Sequence, residues 1–264
     1  MRIPSRRSAV QEFFERKSGC ADFSDFFNYS TQLEAVKLNL GDEQELFEHL
    51  SEDVAGFYER HVLTLLQAFA DLERGDRLWA CVKLYYSVFY ALRVELNLNS
   101  IAVVRTNKFY SCLCKRGEQA KKYNGRQSGD HGFVIDLCRR MLGDQDILQM
   151  ASINETLPYF WLKSLRDTVQ YKTRRPPELD GFDPFFPPSQ MSFHDQIGIF
   201  LADSDPYYPF DPDYAALAIA VKRFQLTSRH VKANGIALDA DFLAMIDQKM
   251  VPGTAGTLLR PYLQ

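Results

Sequence analysis

The sequence predicts an all-α fold, a four-helix up-and-down bundle with an N-terminal aromatic arm and a smaller helical C-terminal part. Three observations lead there. Residues 51–74, 78–98, 131–142 and 158–175 repeat their apolar side chains at 3.6-residue spacing. Helix-stopping residues close the first and last of these, Gly75 and the pair Pro176-Pro177. No stretch reads as a clear strand, and there are no internal repeats.

In chain order, residues 1–44 form the arm. Val10, Phe13, Phe14, Phe23, Phe26, Phe27 and Tyr29 give it an aromatic face that must pack on the main body, and Ser24 and Asp25 suit a helix start or turn. Gly41-Asp42-Glu43 is read as a break. Residues 45–175 form the bundle. Its first helix starts at Ser51 as N-cap, and Asp76 opens the second, with Leu84, Tyr85, Val88, Phe89, Leu92 and Leu96 on one wide face. The short link between them implies antiparallel neighbours. Residues 99–132 are looser: Phe109–Leu113 is read as a short helix and 121–130 as a mobile basic loop. The third helix is His131–Leu142, extended over 144–150, and the fourth runs from Pro158 to Arg175. Residues 176–190, with five prolines between Pro176 and Pro188, form a stiff connector. Residues 191–264 hold three more helices, 195–201, 213–230 and 240–250, with a turn-rich aromatic and acidic patch over 203–213.

Hydrophobic residues make up 46% of the 264, enough for a core, and 20 Phe and 13 Tyr suggest broad packing or an interface as well. Five cysteines, an odd number with no CxxC, fit reduced, buried thiols; the Cys112/Cys114 spacing is too tight for an ordinary zinc site, and no metal or cofactor is expected. Arg2, Arg6 and Arg7 are followed at once by Gln11-Glu12 and not by an apolar run, so neither a secretory nor a twin-arginine signal is read there. No window approaches the ~20 uncharged apolar residues of a membrane span, and a soluble, cytoplasmic protein is expected. There is no P-loop, strand-borne GxGxxG, HExxH or GxSxG, so the corresponding nucleotidase, dehydrogenase, zinc-protease and serine-hydrolase classes have no support.

Net charge is −3, yet residues 103–175 hold fourteen Lys/Arg against seven Asp/Glu, which makes the remainder strongly acidic. That asymmetry is the pattern of an anion-binding face, with Lys121, Lys122, Arg126, Lys172, Arg174 and Arg175 as candidate contacts to RNA phosphates; solvated loop cations are the alternative.

The fourth helix carries the candidate site. Trp161, Leu162, Leu165 and Val169 make its buried stripe, while Arg166, Asp167, Gln170 and Tyr171 stand at the margins, where a plain core helix would gain more from Leu or Ala. The second helix reads Tyr85-Tyr86-x-x-Phe89-x-Ala91-x-Arg93, and His131-Gly132 opens the third. Together these resemble the HEPN superfamily, over roughly residues 45–175: a YYxxFxAxR helix, an arginine-polar-spacer motif near the end of the fourth helix, and an HG pair as in its YaaC-like branch. The resemblance implies an all-α homodimer whose fourth helices meet near a two-fold axis and enclose a cleft. Many members are metal-independent ribonucleases of prokaryotic defence or toxin systems. Others are inactive modules that bind RNA or a protein partner, such as an ATPase or nuclease encoded in the same operon.

At the motif's usual histidine this chain has Tyr171. Metal-free RNA cleavage needs a group to take the 2′-OH proton, one to protonate the leaving oxygen, and a cation on the phosphorane. Arg166 suits the last role through its planar, always charged fork. An unperturbed phenol titrates near 10, so about one in a thousand is ionised at pH 7, and Tyr171 is better as a donor than as a base. His131 would supply the missing imidazole if its helix start faced the cleft. On a regular helix, positions five apart lie about 140° from one another, so Arg166 and Tyr171 would share a site only across a dimer axis. The plainer readings are an Arg166 salt bridge, a packed Tyr171, an Asp167 that pairs with a neighbour, and a His131 that merely begins a helix. Tyr85, Tyr86, Phe89 and Tyr90 read as core, with base stacking as the alternative. His49, His61, His194 and His230 have no partners in sequence and are expected at the surface.

Overall fold

The computed structural model describes residues 7–21, 23–127, 129–172 and 191–263. The connector read over 176–190, and Arg174 and Arg175 before it, lie outside the described residues.

The fold is mostly helical. Helix α1 (Ala9–Lys17) is capped by Ser8, whose Oγ accepts from the Gln11 amide, and a short α2 (Ser30–Ala35) comes next. Helix α3 runs from Leu40 to Arg74, 35 residues. It begins eleven residues before the expected Ser51 cap, because Asn39 and Asp42 form a capping box: each side chain accepts from the other's backbone amide, at 3.0 and 2.9 Å. Satisfying those orphan donors offsets the roughly 1 kcal/mol helix penalty of Gly41, so no break occurs there. Ser51 lies inside the helix, its hydroxyl donating to the Phe47 carbonyl. The C-terminal stop is where the sequence places it, at Gly75 with φ +84°. Asn39→Ala is expected to cost about 1 kcal/mol, read as a lower urea midpoint at unchanged slope.

Helix α4 (Arg77–Leu98) packs antiparallel on α3 and is the central element, touching also α5 (Gly129–Leu142), α6 (Pro158–Asp167) and α8 (Ala215–Ala233). Helix α7 (Phe193–Ala202) and α9 (Ala240–Lys249) border α8 and α3 respectively. One hydrophobic core runs without interruption from Val54 and Tyr58 through Leu84, Val88 and Phe133 to Ile219, Phe224 and Leu259. The C-terminal helices therefore share their interior with the α3/α4 pair, and α8 is buried on nearly all sides.

Residues 101–122 correct the expectation that strands are absent. Strands β1 (Ile101–Arg105), β2 (Phe109–Leu113) and β3 (Lys121–Lys122) form an antiparallel sheet in the order β1-β2-β3, with Ala102 opposite Cys112 and Val104 opposite Tyr110. Phe109–Leu113 is thus a strand and not a helix. The stretch read as a mobile loop begins as a strand, and Tyr123 anchors the chain just beyond it, its amide donating to the Phe109 carbonyl and its hydroxyl to Asp136. The sheet was hidden by its two-sided burial. Ile101 and Val103 face the main core, while Ala102, Val104, Tyr110 and Cys112 face a second one made with Val10, Phe13, Phe14, Phe26 and Leu33. A sheet covered on both faces shows no apolar/polar alternation. The same second core receives the aromatic arm, although Phe27 remains exposed.

Cys81, Cys112, Cys114 and Cys138 are buried free thiols, and burial pushes those of Cys112 and Cys114 up to about 12 and 11. Among the described residues no helix is long and apolar enough to cross a membrane.

Candidate functional site

Helix α6 opens on Pro158 at its first turn, where a missing N–H costs nothing, and buries Tyr159 and Leu162 against the core. Arg166 lies four residues beyond Leu162, so the same face carries it inward and leaves it only 7% exposed. Its guanidinium lies over the rings of Tyr85 and Tyr86 from α4, at 4.8 and 5.5 Å to their centroids. Asp167 accepts from Arg166 Nη1 at 2.7 Å and from Lys163 Nζ at 2.8 Å. Arg166 Nε and Gln170 Oε1 are buried and make no hydrogen bond among the described residues.

After Asp167 the helix changes pitch. Thr168–Lys172 is a π-helical turn, whose i→i+5 pattern stacks residues five apart. The Tyr171 ring consequently lies 5.8 Å from the Arg166 guanidinium within one chain, while the residue as a whole is 72% exposed. The expectation that these two residues need a second subunit to meet is overturned by this turn.

His131, in the first turn of α5, belongs to the same cluster. Its Nδ1 lies 2.7 Å from the Tyr85 hydroxyl, and its ring is 4.4 Å from Phe89 and 5.4 Å from Tyr86. Burial, then the Arg166 and Lys163 charges, hold its pKa below the ordinary 6.5, against the opposing pull of Asp130 and Asp167. The imidazole is therefore neutral at pH 7. With Nδ1–H donating to the Tyr85 oxygen, Nε2 is left as a base; in the reverse tautomer Nε2–H is a donor. Burial raises the Tyr85 phenol, which stays protonated.

The structure thus brings Arg166, Asp167, Tyr171 and His131 together around Tyr85 and Tyr86. The basic residues are spread more widely. Lys172 is exposed at the end of the π turn, Arg126 is exposed in the segment ahead of α5, and Lys121 and Lys122 lie exposed on β3, where Lys121 pairs with Glu118 at 2.8 Å.

A second polar cluster had no forecast. Arg223 of α8 is almost fully buried and donates to Glu95 of α4 (Nη2, 2.9 Å), to the Tyr159 hydroxyl (Nη1, 3.1 Å) and to Thr227 (Nε, 3.1 Å), with Asp146 3.0 Å from Nη1. Tyr159 donates to Asp146 and Thr227 to Glu95. At the rim, His230 Nδ1 lies 2.8 Å from the second Glu95 oxygen. Burial works to raise the Glu95 pKa, but the Arg223 charge and the His230 hydrogen bond outweigh it and bring it down to about 2. The signal in the sequence was Glu95 three residues after Leu92 on the apolar face of α4, and Arg223 inside Ala-Ile-Ala-Val-Lys-Arg-Phe. Either charge interrupts an apolar stripe and requires a partner.

Of the four histidines expected at the surface, His194 and His230 are exposed, while the buried His61 corrects the expectation. His230 is half-exposed but paired, His61 is fully buried with Nδ1 against Ser87 and its pKa pushed down to about 4 by burial, and His49 lies between Glu45 and Glu52. His194 lies 3.8 Å from Asp195. The hydrogen bond to Glu95 holds the His230 pKa above the ordinary 6.5. This pair therefore stabilises the fold fully below pH 6.5, and the contribution is lost as pH rises through the raised value. The Tm difference between wild type and His230→Gln is expected to be largest near pH 6 and to shrink steadily towards alkaline pH.

Among the described residues no three His, Cys, Asp or Glu side chains converge to hold a metal ion. Comparison with models of known families, with curated proteins and with solved structures finds no match.

Proposed function

We propose that this chain is an RNA-directed protein of a prokaryotic defence or toxin-type system, built on a HEPN-like bundle of α3, α4, α5 and α6, and that it acts as a metal-independent endoribonuclease. The observation that carries the reading is the meeting of Arg166 and His131 on the Tyr85/Tyr86 pair, with Tyr171 exposed beside them. In this reading His131 takes the 2′-OH proton, which its lowered pKa allows at pH 7. Arg166 exchanges Asp167 for the phosphate and stabilises the charge on the phosphorane. Tyr171 offers its ring to a base and its hydroxyl to the leaving oxygen. Lys163 and Lys172, with Lys121, Lys122 and Arg126 further out, attract the backbone, and Arg174 and Arg175 follow Lys172 in the sequence. Two copies apposed along α6 form the working cleft in this proposal, in the cytoplasm, and no cofactor is invoked.

A second reading, a catalytically silent scaffold that binds a protein partner such as an ATPase or nuclease component, is favoured by one observation. Arg166 is buried and already neutralised by Asp167. Incubation with tRNA or total RNA in EDTA separates the two. The ribonuclease reading expects cleavage by the wild type that disappears in Arg166→Ala and in His131→Gln. Intact RNA in all three samples would leave the scaffold standing in its place.

A further inference from the structure

We propose that the cleft between α4, α5 and α8 is a binding site for a single nucleobase, taken either as a free nucleoside or as an unstacked base of an RNA. This site is independent of the activity assigned to the Arg166 cluster.

The cleft has a volume of about 210 Å³ and opens over the Glu95–Arg223–Asp146 network. That is below the ~300–1,000 Å³ of clefts that take drug-sized ligands, so the occupant is a one- or two-ring molecule. Leu92, Leu142, Ile147 and Leu226 supply apolar lining, the kind of surface against which a flat ring packs. Besides the Glu95–Arg223–Asp146 network, the polar groups of the cleft are two amides and an imidazole. Gln145 is exposed at the mouth, and Asn99 has its Nδ2 engaged with the Glu95 carbonyl, which leaves its Oδ1 as an acceptor. Side-chain amides pair with base edges, which present donors and acceptors side by side. His230 has Nδ1 fixed by Glu95, so Nε2 is its remaining hydrogen-bonding atom.

Charge decides against two other ligand classes. Two carboxylates, Glu95 and Asp146, line the cleft, and Arg223 already gives its donors to them, to Tyr159 and to Thr227. With His230 protonated, the lining is neutral overall, and with His230 neutral it carries one negative charge. A free phosphate or carboxylate would therefore meet acids whose cation is spent. A cation would have to displace Arg223 from its ion pairs. An uncharged heteroaromatic ring faces neither cost.

The test is ligand-observed saturation-transfer NMR on the full chain with adenosine, guanosine, cytidine and uridine, with ribose and inorganic phosphate as controls. Transfer to the base protons of at least one nucleoside is expected, and none to ribose alone. Leu226→Trp, which fills the cleft, is expected to weaken binding by roughly tenfold or more. Gln145→Ala, on the exposed rim, is expected to weaken it while leaving the thermal midpoint unchanged, and it carries the test should the Trp variant not fold. A tetranucleotide that outcompetes its own nucleosides identifies the source as RNA; equal competition identifies a free nucleoside. Absence of transfer to every nucleoside, or transfer that survives both substitutions, overturns the proposal.

Discussion

Arg223→Met is expected to cost about 3–5 kcal/mol of folding stability. The variant keeps much of the aliphatic volume and removes the only cation that touches both Glu95 and Asp146 among the described contacts. What remains is two buried carboxylates facing each other's field, a tyrosine hydroxyl and a threonine hydroxyl with one partner fewer. The cost comes from that abandoned charge and not from the worth of the ion pair itself, and a triple variant separates the two. Arg223→Met combined with Glu95→Gln and Asp146→Asn should recover a good part of the loss, because neutral amides are far cheaper to bury. Urea unfolding monitored by circular dichroism reads both. A loss below about 1 kcal/mol for the single variant, the level of a surface salt bridge, would mean that the network is hydrated and not buried.

Tyr171→Phe is expected to reduce RNA cleavage by roughly a hundredfold or more, the scale of one lost proton donor, with the fold intact because the side chain is exposed. The π turn places the Tyr171 ring 5.8 Å from the Arg166 guanidinium within one chain. The substitution keeps that ring and removes only the hydroxyl proposed to protonate the leaving oxygen. Thr168→Ala preserves the length of the turn and loses only the hydroxyl's bond to the Ser164 carbonyl, so it should cleave as the wild type does. Wild-type cleavage by Tyr171→Phe would show that the phenol has no part in the chemistry.

The long helices were legible because their apolar residues keep one period over several turns, and because Gly75 and Pro158 act locally. The start of α3 was not, since Gly41 looks like a break until the reciprocal Asn39–Asp42 bonds are seen. The sheet was hidden by burial on both faces, which erases the period-two signal at Ile101–Val104. At the candidate site, Arg166, Asp167, Tyr171 and His131 were visible as polar residues beside apolar stripes. How Arg166 and Tyr171 meet was not, because a change from α to π pitch leaves no mark in residue type. Glu95, Asp146, Arg223 and His230 come from separate segments of the chain, and only tertiary packing shows that they are one another's partners.

RNA lying against the Arg166 cluster is the central claim, and photo-crosslinking tests that contact itself. Full-length protein would be irradiated with 4-thiouridine-substituted RNA in EDTA, digested, and its crosslinked peptides identified by mass spectrometry. Crosslinks to Tyr171, Tyr86 or their immediate neighbours on α4 and α6, lost in Arg166→Ala, are the predicted result. Crosslinks confined to other surfaces, or none above a denatured control, would contradict it.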